Sequence, residues 1–255
     1  MTASSRRSAS PAPLHGIWRI IPSPMLTEVL AQGGLDFQIL DCEHGAYDYA
    51  TLLPDILACE RHDCAPFIRV SGHDKVEVQR CLDLGARGLV FPQLTGPGDF
   101  ARAAAMMDYA PAGTRGFNPF VRAGRYGASS PPAPRAWFVP IVETLEAAQQ
   151  IETILQIGRI DLVYVGVYDL SAQLGAPGQL DSPDLIALVD RILDACAAAN
   201  KPVGLMAVST AAAERLVNRG VRAIVHGVES HRLAQAMREI VSPVVNYTPS
   251  GIPNP

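Results

Sequence analysis

Six side chains stand where a chain of alternating strands and helices would do chemistry: Asp41, Glu43 and His44 in LDCEHG, Arg69 in PFIRV, Glu143 in IVET and Asp169 in GVYDLS. Two carboxylates leaving adjacent strands on one face repel unless a proton or cation lies between them. Glu143 and Asp169 therefore suit a hard, oxygen-preferring ion such as Mg2+ or Mn2+, which keeps several waters and takes only one or two protein carboxylates. The alternative is that Glu143 caps the helix beginning near Thr144 and Asp169 caps a short turn. Asp41, three residues before His44, predicts an acid that orients an imidazole able to move a proton near neutral pH. Glu43 is the other candidate acid, although alternation along the chain turns it away from its neighbours. Arg69 ends an apolar strand, where an unpaired guanidinium is costly, so it needs an anion. A substrate carboxylate would serve, as would Asp41 or Asp83.

Other chemistries lack their residues. The only lysines are Lys75 and Lys201. A Schiff-base aldolase needs its lysine inside the barrel near a strand's carboxyl end, whereas Lys75 lies in the first turn of a predicted helix and Lys201 precedes a strand on the opposite face. There is no G-x-S-x-G elbow and no glycine-rich phosphate loop. Cys42 reads as a small buried hydrophobe rather than a reactive thiol. The five cysteines form no C-x-x-C pair, which predicts free thiols and a cytoplasmic protein. A net charge of −4 with scattered Arg and Lys gives no basic surface for nucleic acid. No apolar run is long enough to span a membrane.

The elements that must position these residues are legible as a repeat. Between residues 17 and 240, short β-branched apolar runs alternate with longer amphipathic stretches. Strands are predicted at 17–21, 35–41, 66–70, 88–91, 137–142, 161–165, 203–206 and 223–226. Helices are predicted at 25–32, 48–61, 74–84, 97–108, 145–157, 184–199, 209–219 and 229–240. Eight such pairs in 255 residues favour a single-domain α/β fold, a (β/α)8 TIM barrel over residues 14–240, with reactive groups at the carboxyl ends of the strands. Residues 1–13 read as a disordered leader and 241–255 as a tail. The stretch 110–136 has no clear period, and its Arg115, Arg122 and Arg125 with neighbouring aromatics predict an anion-facing lid.

Five ordered segments resemble the metal-dependent (class II) 2-oxo-acid aldolases of the HpcH/HpaI family, typified by 4-hydroxy-2-oxoheptanedioate aldolase. They are GGLDFQILDCEHGAYD (33–48), PFIRVSGHDKVEVQRCLDLGARGLVFPQL (66–94), YAPAGTRG (109–116), VETLEAAQQIETI (142–154) and IDLVYVGVYDLSAQLG (160–175). The resemblance implies Glu143 and Asp169 as ligands of a divalent metal, Mg2+ or Mn2+ with Co2+ as a further choice. It implies Arg69 as the arginine for the substrate carboxylate, His44 as general base, Asp41 and Asp83 as acids supporting that histidine, and Arg122 as a further loop arginine. With these roles, backbone N–H groups near Tyr168 are expected to help hold the carboxylate of a 2-oxo acid. The expected reaction cleaves or forms 4-hydroxy-2-oxo acids through a pyruvate enolate, with an aldehyde as the second partner. A citrate-forming condensation of an acetyl thioester (acyl-CoA) with oxaloacetate, and a barrel that binds 2-oxo acids without turnover, are the alternatives. The resemblance also implies a hexamer of dimers that exchange their last helix. This chain departs from the family at Ile141, where a glutamine is usual, and at Val167-Tyr168, where the usual residues are Pro-Ala, which leaves substrate and direction open.

Overall fold

The computed structural model describes residues 12–128 and 135–242. Most of the expected leader, the proline-rich end of the 110–136 loop and the tail after residue 242 lie outside the described residues. In chain order the elements are β1 (Leu14–Arg19), α1 (Pro24–Gln32), β2 (Phe37–Asp41), α2 (Tyr49–Arg61), β3 (Ala65–Arg69), α3 (Lys75–Leu84), β4 (Gly88–Phe91) and α4 (Pro97–Met106). There follow β5 (Trp137–Val142), α5 (Leu145–Gln149), α6 (Ile151–Ile154), β6 (Val163–Val165), α7 (Val167–Gln173), α8 (Pro183–Ala198), β7 (Val203–Met206), α9 (Thr210–Asn218), β8 (Ala223–Val228) and α10 (Glu229–Val241). All eight strands are parallel and the sheet closes in sequence order, β8 pairing back onto β1. The chain is the expected (β/α)8 barrel.

Alternation along each strand separates two apolar layers. Trp18, Phe37, Ile39, Phe67, Val90, Val139, Ile141 and Tyr164 fill the barrel interior. Leu40, Ile68, Leu89, Phe91, Phe138, Val163 and Ile224 face outward against the helices. Side-chain caps at Ser23, Asp48, Asp74, Thr144, Ser182 and Ser209 start most of the helices, each satisfying a first-turn N–H. At the other end of α3, Gly85 adopts φ 104, the left-handed cap that LDLGARG predicts.

Two elements differ from the expectation. The helix predicted over 145–157 breaks at Gln150 (φ −104, ψ 19) into α5 and α6. The sequence pattern predicts no helix between strand six and residue 184, yet α7 lies there; its seven residues are too few for a 3.6-residue period to show.

One charged knot ties the layers beneath the rim. Arg19, fully buried outside the barrel wall, donates from Nη1 to Thr27 Oγ1 of α1 (2.5 Å) and Gln38 Oε1 of β2 (2.7 Å), and from Nη2 to the Ile21 carbonyl (2.9 Å). It lies 3.7 Å from both Asp55 of α2 and Glu229 at the start of α10. Glu229 in turn accepts the N–H groups of Ile20 and Ile21, each at 2.7 Å. Removing the cation leaves two buried carboxylates uncompensated, so Arg19→Met is expected to destabilise the fold by about 3–5 kcal/mol. A urea unfolding midpoint within error of wild type would contradict this.

Candidate active site

The carboxyl ends of β2, β3, β4, β5 and β6 converge on one rim. Asp41 pairs in register with Arg69 across β2 and β3, and both side chains point inward. Asp41 accepts from Arg69 Nε (2.8 Å) and Nη2, and also from the N–H groups of Glu43 (3.0 Å) and His44 (3.2 Å). Glu43 Oε2 meets Arg69 Nη1 at 2.8 Å, and the guanidinium lies 4.5 Å above the Trp18 ring. Trp18 Nε1 donates to the buried Tyr164 hydroxyl at 3.0 Å, so an indole and a phenol form the floor under the arginine. Each of Nη1 and Nη2 keeps a second N–H for a substrate.

Glu143 ends β5 and is 5% exposed. It accepts the Gln93 N–H at 2.5 Å. Gly166 makes room for it: a Cβ there would fall 2.5 Å from Glu143 Cβ and 2.8 Å from Oε2. The helix-cap alternative fails at both carboxylates. Thr144 caps α5 by accepting the Ala147 N–H, and Asp169 sits exposed inside the first turn of α7, whose cap position is Gly166. Burial is the main cause that lifts the Glu143 carboxyl to about 7. The Gln93 N–H and Arg69 pull it down, while Asp169 and Glu43 push it up.

The rim thus gathers Asp41, Glu43 and Glu143 about the guanidinium of Arg69, with Asp169 acting on Glu143. Among the described residues no three His, Cys, Asp or Glu side chains surround one point, so Glu143 and Asp169 would be the only protein ligands of a cation between them. That donor set fits a hard dication that completes its shell with water and substrate oxygens.

Several expected placements change. Asp41 is spent on Arg69 and on two backbone N–H groups, not on the His44 ring. The imidazole is 71% exposed and its nearest carboxylate is Glu43, 3.9 Å from Nε2. Glu43 faces the site instead of turning away. Asp83 and Arg122 are not at this rim: α3 runs back from it, and Asp83 near its end pairs with Arg115 at 2.7 Å. Arg122 bonds Glu60 and the Leu84 carbonyl (2.7 Å) at that same far end. The described residues of the loop after α4 therefore form no lid over their own rim; as part of a helix-to-strand connection they border a cavity of about 1180 Å3 whose described lining shares no residue with the rim cluster. Tyr168 lies beside Asp169, half exposed, and Ile141 is buried in the wall below Glu143. Lys201 donates to the carbonyls of Ile157, Gly158 and Ile160 between α6 and β6, away from the rim. Burial, then the acids Glu77 and Asp41, push the Cys42 thiol up to about 12, so it is inert.

Gln93, Trp18, Tyr164 and Gly166 also belong to the site, although neither their types nor their spacing announces chemistry, and Gln93, Tyr164 and Gly166 lie inside the segments that carry the family resemblance. Trp18 and Tyr164 were findable as inward positions of β1 and β6. Gln93 carried the weaker signal of a polar residue just past a strand end.

A profile of the HpcH/HpaI aldolase/citrate lyase family matches residues 15–236. The chain is 30% identical over 233 residues to the hydroxypyruvate/pyruvate aldolase of Chromohalobacter salexigens, covering 89% of this chain and 92% of that one. A solved HpcH/HpaI aldolase/citrate lyase family protein from Burkholderia cenocepacia superposes with a TM-score of 0.87 at 30% identity, over 91% of this chain and 95% of that one. Citrate synthase SbnG superposes at 0.82 and 25% identity, over 91% and 93%.

In metal-free protein Glu143 holds a proton that the unfolded chain, with its ordinary value of 4.5, releases earlier. Its contribution is fully present below about pH 4.5 and lost as pH rises through about 7, a decline of about 3 kcal/mol. Chelator-treated protein is expected to lose that stability between about pH 4.5 and pH 7 in urea titrations, and Glu143→Gln to remove the decline. An unchanged slope in the variant would assign it to another group.

Proposed function

Because the chain belongs to the HpcH/HpaI aldolase/citrate lyase family, we propose that it cleaves and forms 4-hydroxy-2-oxo acids at the rim built around Arg69, Glu143 and Asp169. It is a carbon–carbon lyase of the aldolase type, from a family generally dependent on a divalent metal ion. The observation that carries the assignment is the charge set: Asp41 and Glu43 are paired with the Arg69 guanidinium, while Glu143, buried and unpaired by it, feels the charge of Asp169.

In this reading Glu143 and Asp169 would hold a divalent ion, Mg2+ or Mn2+, which would supply Lewis acidity to the 2-oxo group. Arg69, fixed edge-on by Asp41 and Glu43 and stacked on Trp18, gives its remaining N–H groups to the C1 carboxylate. Tyr168 and the first-turn N–H groups of α7 complete that carboxylate's surroundings. His44, open to the mouth with Glu43 3.9 Å away, takes the C4 hydroxyl proton as the C3–C4 bond breaks, leaving an aldehyde and the pyruvate enolate, which takes a proton back at C3 to become pyruvate. In synthesis the proton returns along the same path.

We place the chain in a homo-oligomer that exchanges its last helix. In α10 the apolar side chains Leu233, Met237, Ile240 and Val241 are exposed, and so are Met25 and Val29 of α1. Two bare apolar faces on one barrel ask for a second copy. Asp83 and Arg122, far from their own rim, would then act at a neighbour's. Met237→Glu combined with Ile240→Glu is expected to shift sedimentation to a smaller species; an unchanged sedimentation coefficient would remove α10 from the interface.

The deciding assay incubates purified protein with Mg2+, Mn2+ or Co2+ and a panel of 4-hydroxy-2-oxo acids, following pyruvate. Glu143→Ala is expected to lower kcat about 100-fold or more. Activity that survives both EDTA and this substitution would refute the metal reading. A parallel assay with oxaloacetate and acetyl-CoA follows free thiol. Its success with failure of the first would favour the citrate-forming reaction suggested by the likeness to citrate synthase SbnG.

A further inference from the structure

We propose that Gln93 is a positioning residue that sets the spacing between the metal carboxylate and the substrate arginine, its main-chain N–H fixing Glu143 and its carboxamide holding Glu43 against Arg69. The inference rests on the reading of the rim as a metal and 2-oxo-acid site.

Gln93 follows Pro92 two residues after β4 and has φ 54, a left-handed conformation. A non-glycine residue held there costs about 1 kcal/mol or more and persists only where its surroundings enforce it. Here they do so on both sides. His73 Nε2 donates to the Pro92 carbonyl at 2.7 Å, and Thr144 Oγ1 donates to the Leu94 carbonyl at 3.1 Å. Gln93 itself is exposed at the mouth, so core packing does not explain it.

What the conformation achieves is a bridge. The main-chain N–H reaches Glu143 Oε1 at 2.5 Å, and the side-chain Nε2 of the same residue reaches Glu43 Oε1 at 2.6 Å. Glu43 Oε2 is then committed to Arg69 Nη1 at 2.8 Å. With Oε1 of Glu143 occupied, Oε2 remains, on the side of Gly166, from which α7 and Asp169 begin. One residue thus selects the free oxygen of Glu143 and braces the acid that orients Arg69. Two carboxylates that repel are thus held at a fixed separation by two donors of one residue.

Substitutions separate the two contributions. Gln93→Gly and Gln93→Asn both accept positive φ, but neither carries an amide that reaches Glu43. Gln93→Val keeps no carboxamide and is strained at that φ, which displaces the N–H from Glu143. Mn2+ affinity of metal-stripped protein, read by titration calorimetry, is expected to stay within about twofold of wild type for Gly and Asn and to fall about tenfold or more for Val. Gln93→Ala, milder in strain, replaces Val should Val not fold. With a cleavable 4-hydroxy-2-oxo acid, Gly and Asn are expected to raise KM about tenfold while kcat stays within about twofold.

Wild-type Mn2+ affinity in Val or Ala overturns the main-chain role. An unchanged KM in both Gly and Asn overturns the carboxamide role. A lower melting temperature with neither change marks Gln93 as merely structural, which also overturns the proposal. A wild-type protein without lyase activity defeats the functional reading instead, and the Mn2+ series still decides the main-chain role.

Discussion

Three carboxylates share the field of one guanidinium at the rim of this barrel, a fourth, Asp169, adds its charge beside Glu143, and most of the local structure is a response to that imbalance. Arg69 absorbs Asp41 and Glu43 through three contacts, and its face is stacked on Trp18. Glu143 remains, buried, with a single N–H from Gln93 and a carboxyl that burial pushes up to about 7. A site that keeps a carboxylate under such strain is prepared for a positive charge, and the protein holds it open with a glycine at 166 and a left-handed glutamine at 93.

The two ends of the barrel do different work because parallel β/α units put every strand-to-helix loop at one end and every helix-to-strand loop at the other. Asp41, Glu43, His44, Arg69, Gln93, Glu143 and Asp169 all follow strands or end them. Asp83, Arg115 and Arg122 lie at the opposite end, paired among themselves and with Glu60. Between the ends, Arg19 ties β1 to α1, α2, β2 and the root of α10, so the helix with the bare apolar face begins at this buried charge cluster.

The sequence by itself determined the eight-fold alternation, the closed parallel barrel and the strand-end positions of Asp41, His44, Arg69, Glu143 and Asp169. Those features rest on period and order, which a linear string carries without loss. The scarcity of lysine likewise removed imine chemistry before any coordinate was known, and Lys201 lies away from the rim. What a linear string does not carry is which neighbour a side chain chooses. Asp41 turned to Arg69 and the backbone rather than to the His44 ring because a guanidinium directly opposite it on the adjacent strand offers a bidentate partner. Glu43 turned inward because that same arginine had a second edge to fill. The pairing of Gln93 with Glu143, fifty residues apart, and the stacking of Arg69 on Trp18 were decided only by the closure of the barrel, which brings distant strand ends within hydrogen-bonding distance and makes their charges one problem.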